Sequence, residues 1–221
     1  MNKILKSFKN FKRDKSAAIG IGTMIIFIAM VLVAGIAASV LIQTATRLES
    51  QAMVTGSETT KEVAGGIAIE DIVGHIATDI DMLAITVRVR AGSPDIDLNH
   101  TVLEISDGDT KALLSYDYST PHFNSSVDAD ASLFSSGTIS TLTNEQFGII
   151  VLEDPDNSLS QYNPVINRGD LVVITIDTDA IFSQIPERTD VVGMIMPEVG
   201  SPGMIAFTTP ASYTDTVYDL Q

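Results

Sequence analysis

Cysteine is absent from the 221 residues. That excludes disulfides, thiolate metal sites, a cysteine nucleophile and a lipid-modified N-terminal cysteine. Histidine is scarce, with only His75, His100 and His122, and the chain has no H-E-x-x-H pairing, no G-x-S-x-G elbow and no phosphate loop. The Gly20-Ile21-Gly22 triplet lies inside an apolar run rather than after a strand, so it is no nucleotide fingerprint. Packing and surface roles suit all three histidines, and no residue is assigned to catalysis, a metal or a cofactor. Basic residues are few as well: thirteen Lys and Arg face 28 Asp and Glu. Six of the thirteen (Lys3, Lys6, Lys9, Lys12, Arg13 and Lys15) crowd into the first 17 residues beside one acid, Asp14. Residues 18–221 therefore hold seven basic against 27 acidic residues, a net of −20. Such a surface repels phosphate backbones, which argues against nucleic-acid binding, and it suits an anionic outer face soluble at high ionic strength. An apolar fraction of 45% is enough for a core, and the length fits one globular domain with an appendage.

The appendage begins where charge stops. No charged residue occurs from Ser16 to Thr46, and the only residues of Ala18 to Ile42 that are not apolar are Gly20, Gly22, Thr23, Gly35 and Ser39. As a helix this stretch spans about 37 Å, enough to cross a bilayer and too long for an ordinary secretory signal. The basic leader stays cytoplasmic by the positive-inside rule, which sends everything beyond about residue 43 outward. Past the membrane length, Leu41, Ala45, Leu48, Ala52, Thr59 and Val63 continue an apolar or small stripe, with Gly56 in the same row, until Gly65-Gly66 offers a helix stop. One helix over 18–64 would be about 70 Å long, more than a plain membrane anchor on a surface protein needs. A rod apolar all round at one end and striped at the other calls for similar rods around it. Transfer from lipid to a bundle of copies exchanges one apolar surrounding for another, so the gain must come from close packing. Gly20, Gly22 and Gly35, with alanines between them, allow that approach. Gly22, Ile28, Val33, Gly35, Leu41 and Leu48 are the candidate assembly positions.

The basic leader, then GIGTMIIFIAMVLVAGIAASVLI at 20–42 and TGSETTKEVAGGI at 55–67, closely resembles the archaeal flagellins, or archaellins, which build the archaellum filament. The resemblance is dense over about residues 12–74. It implies a structural filament subunit for swimming, made as a membrane precursor with its N-terminus inside and exported into an extracellular polymer of like or related archaellins. It also implies two partners: a membrane aspartyl peptidase of the prepilin-peptidase class, and an ATPase-driven membrane assembly platform. Placing Gly20 third in the mature chain puts the cut between Ala17 and Ala18. The family pattern has glycine before the cut and two basic residues ahead of it, where this chain has Lys15, Ser16 and Ala17. Bacterial-type pilins carry glutamate at the fifth mature position, here Gly22, which favours an archaellin over an adhesive type IV-like pilin of the same architecture. A membrane-anchored extracellular enzyme or binding protein is the third reading.

After Gly66 the period changes to two. IAIEDIV (67–73), DMLAITVRVR (81–90), HTVLEIS (100–106), KALLSYDY (111–118), QFGIIVLED (146–154), DLVVITIDTD (170–179), VVGMIMP (191–197) and GMIAFTT (203–209) read as strands separated by polar turns. In the second run Leu83, Ile85, Val87 and Val89 oppose Ala84, Thr86, Arg88 and Arg90, one face in and one out. Without intervening helices these strands predict an antiparallel β-sandwich of immunoglobulin-like kind over 65–221, so that the chain is an α+β protein divided into leader (1–17), helix (18–64) and outer domain. The polar stretch 119–145 is expected to be a loop on the filament exterior. Two N-x-S/T sequons, at Asn99 and Asn124, are glycosylation candidates, with Asn124 preferred for its loop. Five aspartate pairs two apart (95/97, 107/109, 128/130, 154/156 and 177/179) resemble oxygen-ligand loops, yet none has the full EF-hand spacing, and solvated turns are the expectation. Arg168-Gly169-Asp170 matches an adhesion tripeptide but reads as a turn before a strand.

Overall fold

A computed structural model describes residues 15–120, 122–125, 133–135 and 141–221. The chain divides into two compact units, Met1–Gly56 and Ser57–Gln221. Among the described residues the first unit is one helix, part of α1 (Lys15–Ala64). It runs without a proline, and the threonine hydroxyls are turned onto the helix itself: Thr23 Oγ1 donates to the Gly20 carbonyl at 2.9 Å and Thr44 Oγ1 to that of Leu41 at 2.9 Å. No polar group of these threonines is then left to a hydrocarbon surrounding. Among the described residues α1 is the one helix long and apolar enough to cross a membrane.

The helix ends inside the second unit. Gly65 N–H donates to the Lys61 carbonyl at 2.9 Å, and the chain then turns at Gly66, whose φ is +127°. Side chains rarely adopt that conformation, and a Cβ on Gly66 would also collide with the backbone of Ser201. Ser201 N–H donates to Gly65 O at 2.9 Å and its carbonyl accepts from Ile67, tying the helix exit to a distant turn.

Thirteen strands follow among the described residues: β1 (Ile67–Ile76), β2 (Ile80–Val89), β3 (Ile96–Asp97), β4 (Val102–Ser106), β5 (Lys111–Ser115), β6 (Phe123–Asn124), β7 (Gly148–Glu153), β8 (Leu159–Ser160), β9 (Asn163–Ile166), β10 (Leu171–Asp177), β11 (Asp190–Met196), β12 (Gly203–Thr208) and β13 (Val217–Asp219). They form a six-stranded sheet in the order β13-β1-β2-β10-β7-β6, a four-stranded sheet β12-β11-β4-β5 and a small sheet β3-β9-β8. The two larger sheets enclose one core. Ile72, Leu83, Ile85, Ile149 and Ile174 of the first belong to the same buried cluster as Leu103, Ile105, Leu114, Val191, Ile195 and Ile205 of the second. Each such side chain contributes roughly 1.5–3 kcal/mol by leaving water.

Three features depart from the sequence expectation. Strand β6 pairs with β7 in parallel, whereas the other pairings between these strands are antiparallel. A five-residue helix, α2 (Thr178–Phe182), follows β10, nucleated by Asp177, whose carboxylate accepts from Ala180 N–H at 3.1 Å. The stretch 119–145 is not all loop: beside β6 it holds a 3-10 turn at Leu133–Ser135. Leu133 and Phe134 cover Ala84, Ile150 and Val173 on the outward face of the large sheet. That cover explains why Ala84 is buried although it alternates with core residues, and why β10 is buried on both faces from Val172 to Ile176.

Candidate assembly surface and acidic cluster

The described apolar side chains of α1 are exposed in the single chain. Phe27, Leu41 and Leu48 are 67%, 68% and 67% accessible, and Ile28 and Val33 are 53% and 66% accessible. Four glycines lie in the helix, and a Cβ built at Gly20, Gly22, Gly35 or Gly56 would meet nothing within 4 Å. Glycine in a helix interior costs roughly 1 kcal/mol relative to alanine. Among the described residues no packing partner for a side chain at these positions offsets that cost. Lys15, Ser16, Ala17 and Ala18, the residues around the expected cut, have helical backbone, and residues 1–14 lie outside the described residues.

The candidate glycosylation sites differ in setting. Asn99 is half-buried in a 3-10 turn, its N–H donating to Asp97 Oδ1 at 2.8 Å, and the sequon's Thr101 is buried with its hydroxyl on the Asp97 carbonyl. Asn124 sits half-buried on β6 rather than in open loop; Ser126 of its sequon lies outside the described residues. The three histidines are held in structural pairs: His75 Nδ1 lies 2.7 Å from Asp81 with its ring against Phe134, His100 Nδ1 3.1 Å from Asp97, and His122 Nδ1 3.2 Å from the Thr141 hydroxyl.

Three of the aspartate pairs serve a turn or a helix start. Asp107 Oδ1 accepts from Asp109 N–H at 3.0 Å and Thr110 N–H at 2.7 Å in the β4–β5 turn. Partial burial opposes the charge there, but these donors win and hold the carboxyl below the usual range. Asp97 and Asp177 cap short helices. The 128/130 pair lies outside the described residues.

The pair 154/156 is different because the fold brings it a third carboxylate. Oxygens of Asp154, Asp156 and Asp170 lie within 4.8 Å of one another. Asp170, from the Arg168-Gly169-Asp170 turn, is 3% accessible, so this tripeptide does not present its acid for adhesion. Its Oδ2 accepts from Asn167 N–H at 2.8 Å, while its Oδ1 is buried without a partner. Burial raises its pKa, and the neighbouring Asp154 charge adds to that. Asp156 differs: the Asn167 amide donates at 2.7 Å and holds its carboxyl down. Three carboxylates, one of them with a buried oxygen that lacks a partner, have the chemistry to hold a divalent cation. The sequence kept Asp170 apart from the 154/156 pair; the juxtaposition arises because β8 and β9 fold back between them.

With this geometry in view, the comparison with known proteins is decisive. The sequence model of the family described as archaeal-type flagellin matches residues 17–207. The chain belongs to the archaeal-type flagellins. Flagellin B2 of Methanocaldococcus jannaschii is 45% identical to this archaeal flagellin over 219 residues, covering 96% of this chain and 97% of that one. Flagellin B1 of Methanococcus voltae is 39% identical over 224 residues, 97% of this chain and 100% of its own length. The crystal structure of archaeal flagellin FlaB1 from M. jannaschii superposes with a TM-score of 0.65 at 34% identity, over 72% of this chain and 98% of that chain. A chain of the archaeal flagellum of Methanospirillum hungatei shares the fold at 16% identity, with a TM-score of 0.58 over 91% of this flagellin and 98% of its own chain.

Proposed function

We propose that this flagellin is a structural subunit of the archaellum filament, polymerising through α1 after loss of its leader, and serving swimming. The observation that carries the mode of assembly is the set of four helical glycines with open space around them, on a helix whose apolar side chains are exposed. In a bundle of copies those positions admit neighbouring backbones closely enough to gain packing energy that lipid does not provide. The same helix tolerates the bilayer beforehand, so the chain is made as a cytoplasmic-membrane precursor with its N-terminus inside. A prepilin-peptidase-type aspartyl protease removes residues 1–17, and an ATPase-driven platform draws the mature chain into the growing extracellular filament. The β-domain forms the outer sheath, carries any glycan on Asn99 or Asn124, and performs no chemistry.

Shearing filaments from cells and sequencing their N-termini tests this directly. An Ala18 start in material that sediments as fibres is expected; full-length monomers starting at Met1 would overturn it. Deleting the gene separates the rival adhesive pilin, since cells lacking a pilin still swim.

A further inference from the structure

We infer that the outward face of the four-stranded sheet is a contact surface for the β-domain of a second copy of this chain in the filament. In a sandwich the face turned away from the core is ordinarily polar. Here β11 turns Val192, Met194 and Met196 outward, all apolar. The register makes the patch continuous: Met194 lies between Met204 on β12 and Glu104 on β4, and Leu113 on β5 lies opposite Glu104, with Val102 in the next row beside Met196. Met204, Leu113 and Val192 are 61%, 57% and 54% accessible and Val102 36%.

Charge selects the occupant. Residues 65–221 carry 24 acidic and five basic residues. Copies of such a domain repel one another wherever those charges face. The four strands of this sheet hold only Asp190, Glu104 and Lys111, and the last two neutralise each other at 2.6 Å. This face therefore lets a like-charged neighbour approach at low electrostatic cost. Size agrees: a patch of six apolar side chains is small against the ~800 Å² per partner that a free-standing dimer requires. It is too small to pair domains in solution and adequate between copies already held by their helices. Methionine, flexible and polarizable, fits a face that must mould to a non-identical surface, since contacts along a polar filament are head-to-tail.

The inference rests on the filament reading, and the test keeps the two apart. Because the chain has no cysteine, Met204→Cys and, separately, Leu113→Cys make single-site reporters. Filaments sheared from cells and freed of other proteins are treated with a small maleimide and compared with the same filaments dissociated into subunits. Labelling at least about tenfold slower in the intact fibre is expected at both positions. Equal rates in fibre and subunit overturn the proposal while leaving the filament reading intact, and so does protection that vanishes when other proteins are stripped away. Failure of the unaltered chain to form fibres at all overturns the filament reading instead. A cysteine variant that inserts and keeps native β-sheet circular dichroism, yet does not assemble, counts for the proposal, because a side chain facing only solvent tolerates cysteine.

Discussion

Enlarging Gly35 should move the subunit and the filament in opposite directions. In the single chain a Cβ there meets nothing within 4 Å. Gly35→Ala therefore adds helix propensity of roughly 1 kcal/mol without steric cost, and the detergent-solubilised subunit should melt higher when followed by helical circular dichroism. If neighbouring backbones approach that position in the fibre, a larger side chain must displace them. Overpacking a fitted contact costs about 1–3 kcal/mol. Applied to the addition of one subunit, that raises the critical concentration roughly 5- to 150-fold at ~1.4 kcal/mol per decade. Gly35→Leu should accordingly insert normally, retain its helix and yield few or no filaments by electron microscopy. Sheared filaments of Gly35→Ala should dissociate at lower temperature than the unaltered ones although their subunit is more stable. If Gly35→Leu assembles in normal yield and dissociates at the unaltered temperature, the glycines do not serve close approach and the packing argument for assembly fails.

Other outcomes follow from the same structure. Asp in place of Ile28 or Val33 should block insertion or assembly, since an unpaired charge in hydrocarbon costs about 2.5–3.5 kcal/mol even on the mild insertion scale; membrane fractionation and filament yield measure it. Gly66→Ala, at φ +127° and against the Ser201 backbone, should lower the thermal midpoint of the β-domain by an amount corresponding to at least about 1–3 kcal/mol, read by calorimetry. Asp170 has a raised pKa through burial, so its proton is bound more tightly folded than unfolded. Its charge thus lowers stability as pH rises from the unfolded carboxyl value through the folded one. In chelator, Asp170→Asn should match or exceed the unaltered protein at neutral pH, the difference shrinking as pH falls through that window. A divalent cation should stabilise the unaltered chain and leave Asp170→Asn unmoved, as thermal shift in calcium titrations reports. Asn124→Gln should speed gel migration if that sequon carries a glycan.

The sequence by itself determined the elements and their facing. The 31 residues from Ser16 to Thr46 lack charge, and no soluble fold buries such a run as readily as lipid or a bundle does, so α1 was legible from composition alone. The eight longer strands were legible because period-two alternation is a local property: Leu83, Ile85 and Val87 fall inward for the same reason that Arg88 falls outward. What needed the tertiary structure was everything that depends on distance along the chain. The two-residue strands β3, β6 and β8 have too little sequence to show a period, and each pairs with a longer neighbour. The burial of Ala84 depends on the cover of Leu133 and Phe134, about fifty residues away. Asp170 joins Asp154 and Asp156 only after β8 and β9 return the chain, and the sparsely charged face of the four-stranded sheet appears only when β4, β5, β11 and β12 are set side by side. Local periodicity specifies which side of an element faces the core. Which other element lies across that side, or is missing from it, is settled by the global packing of one sheet on another.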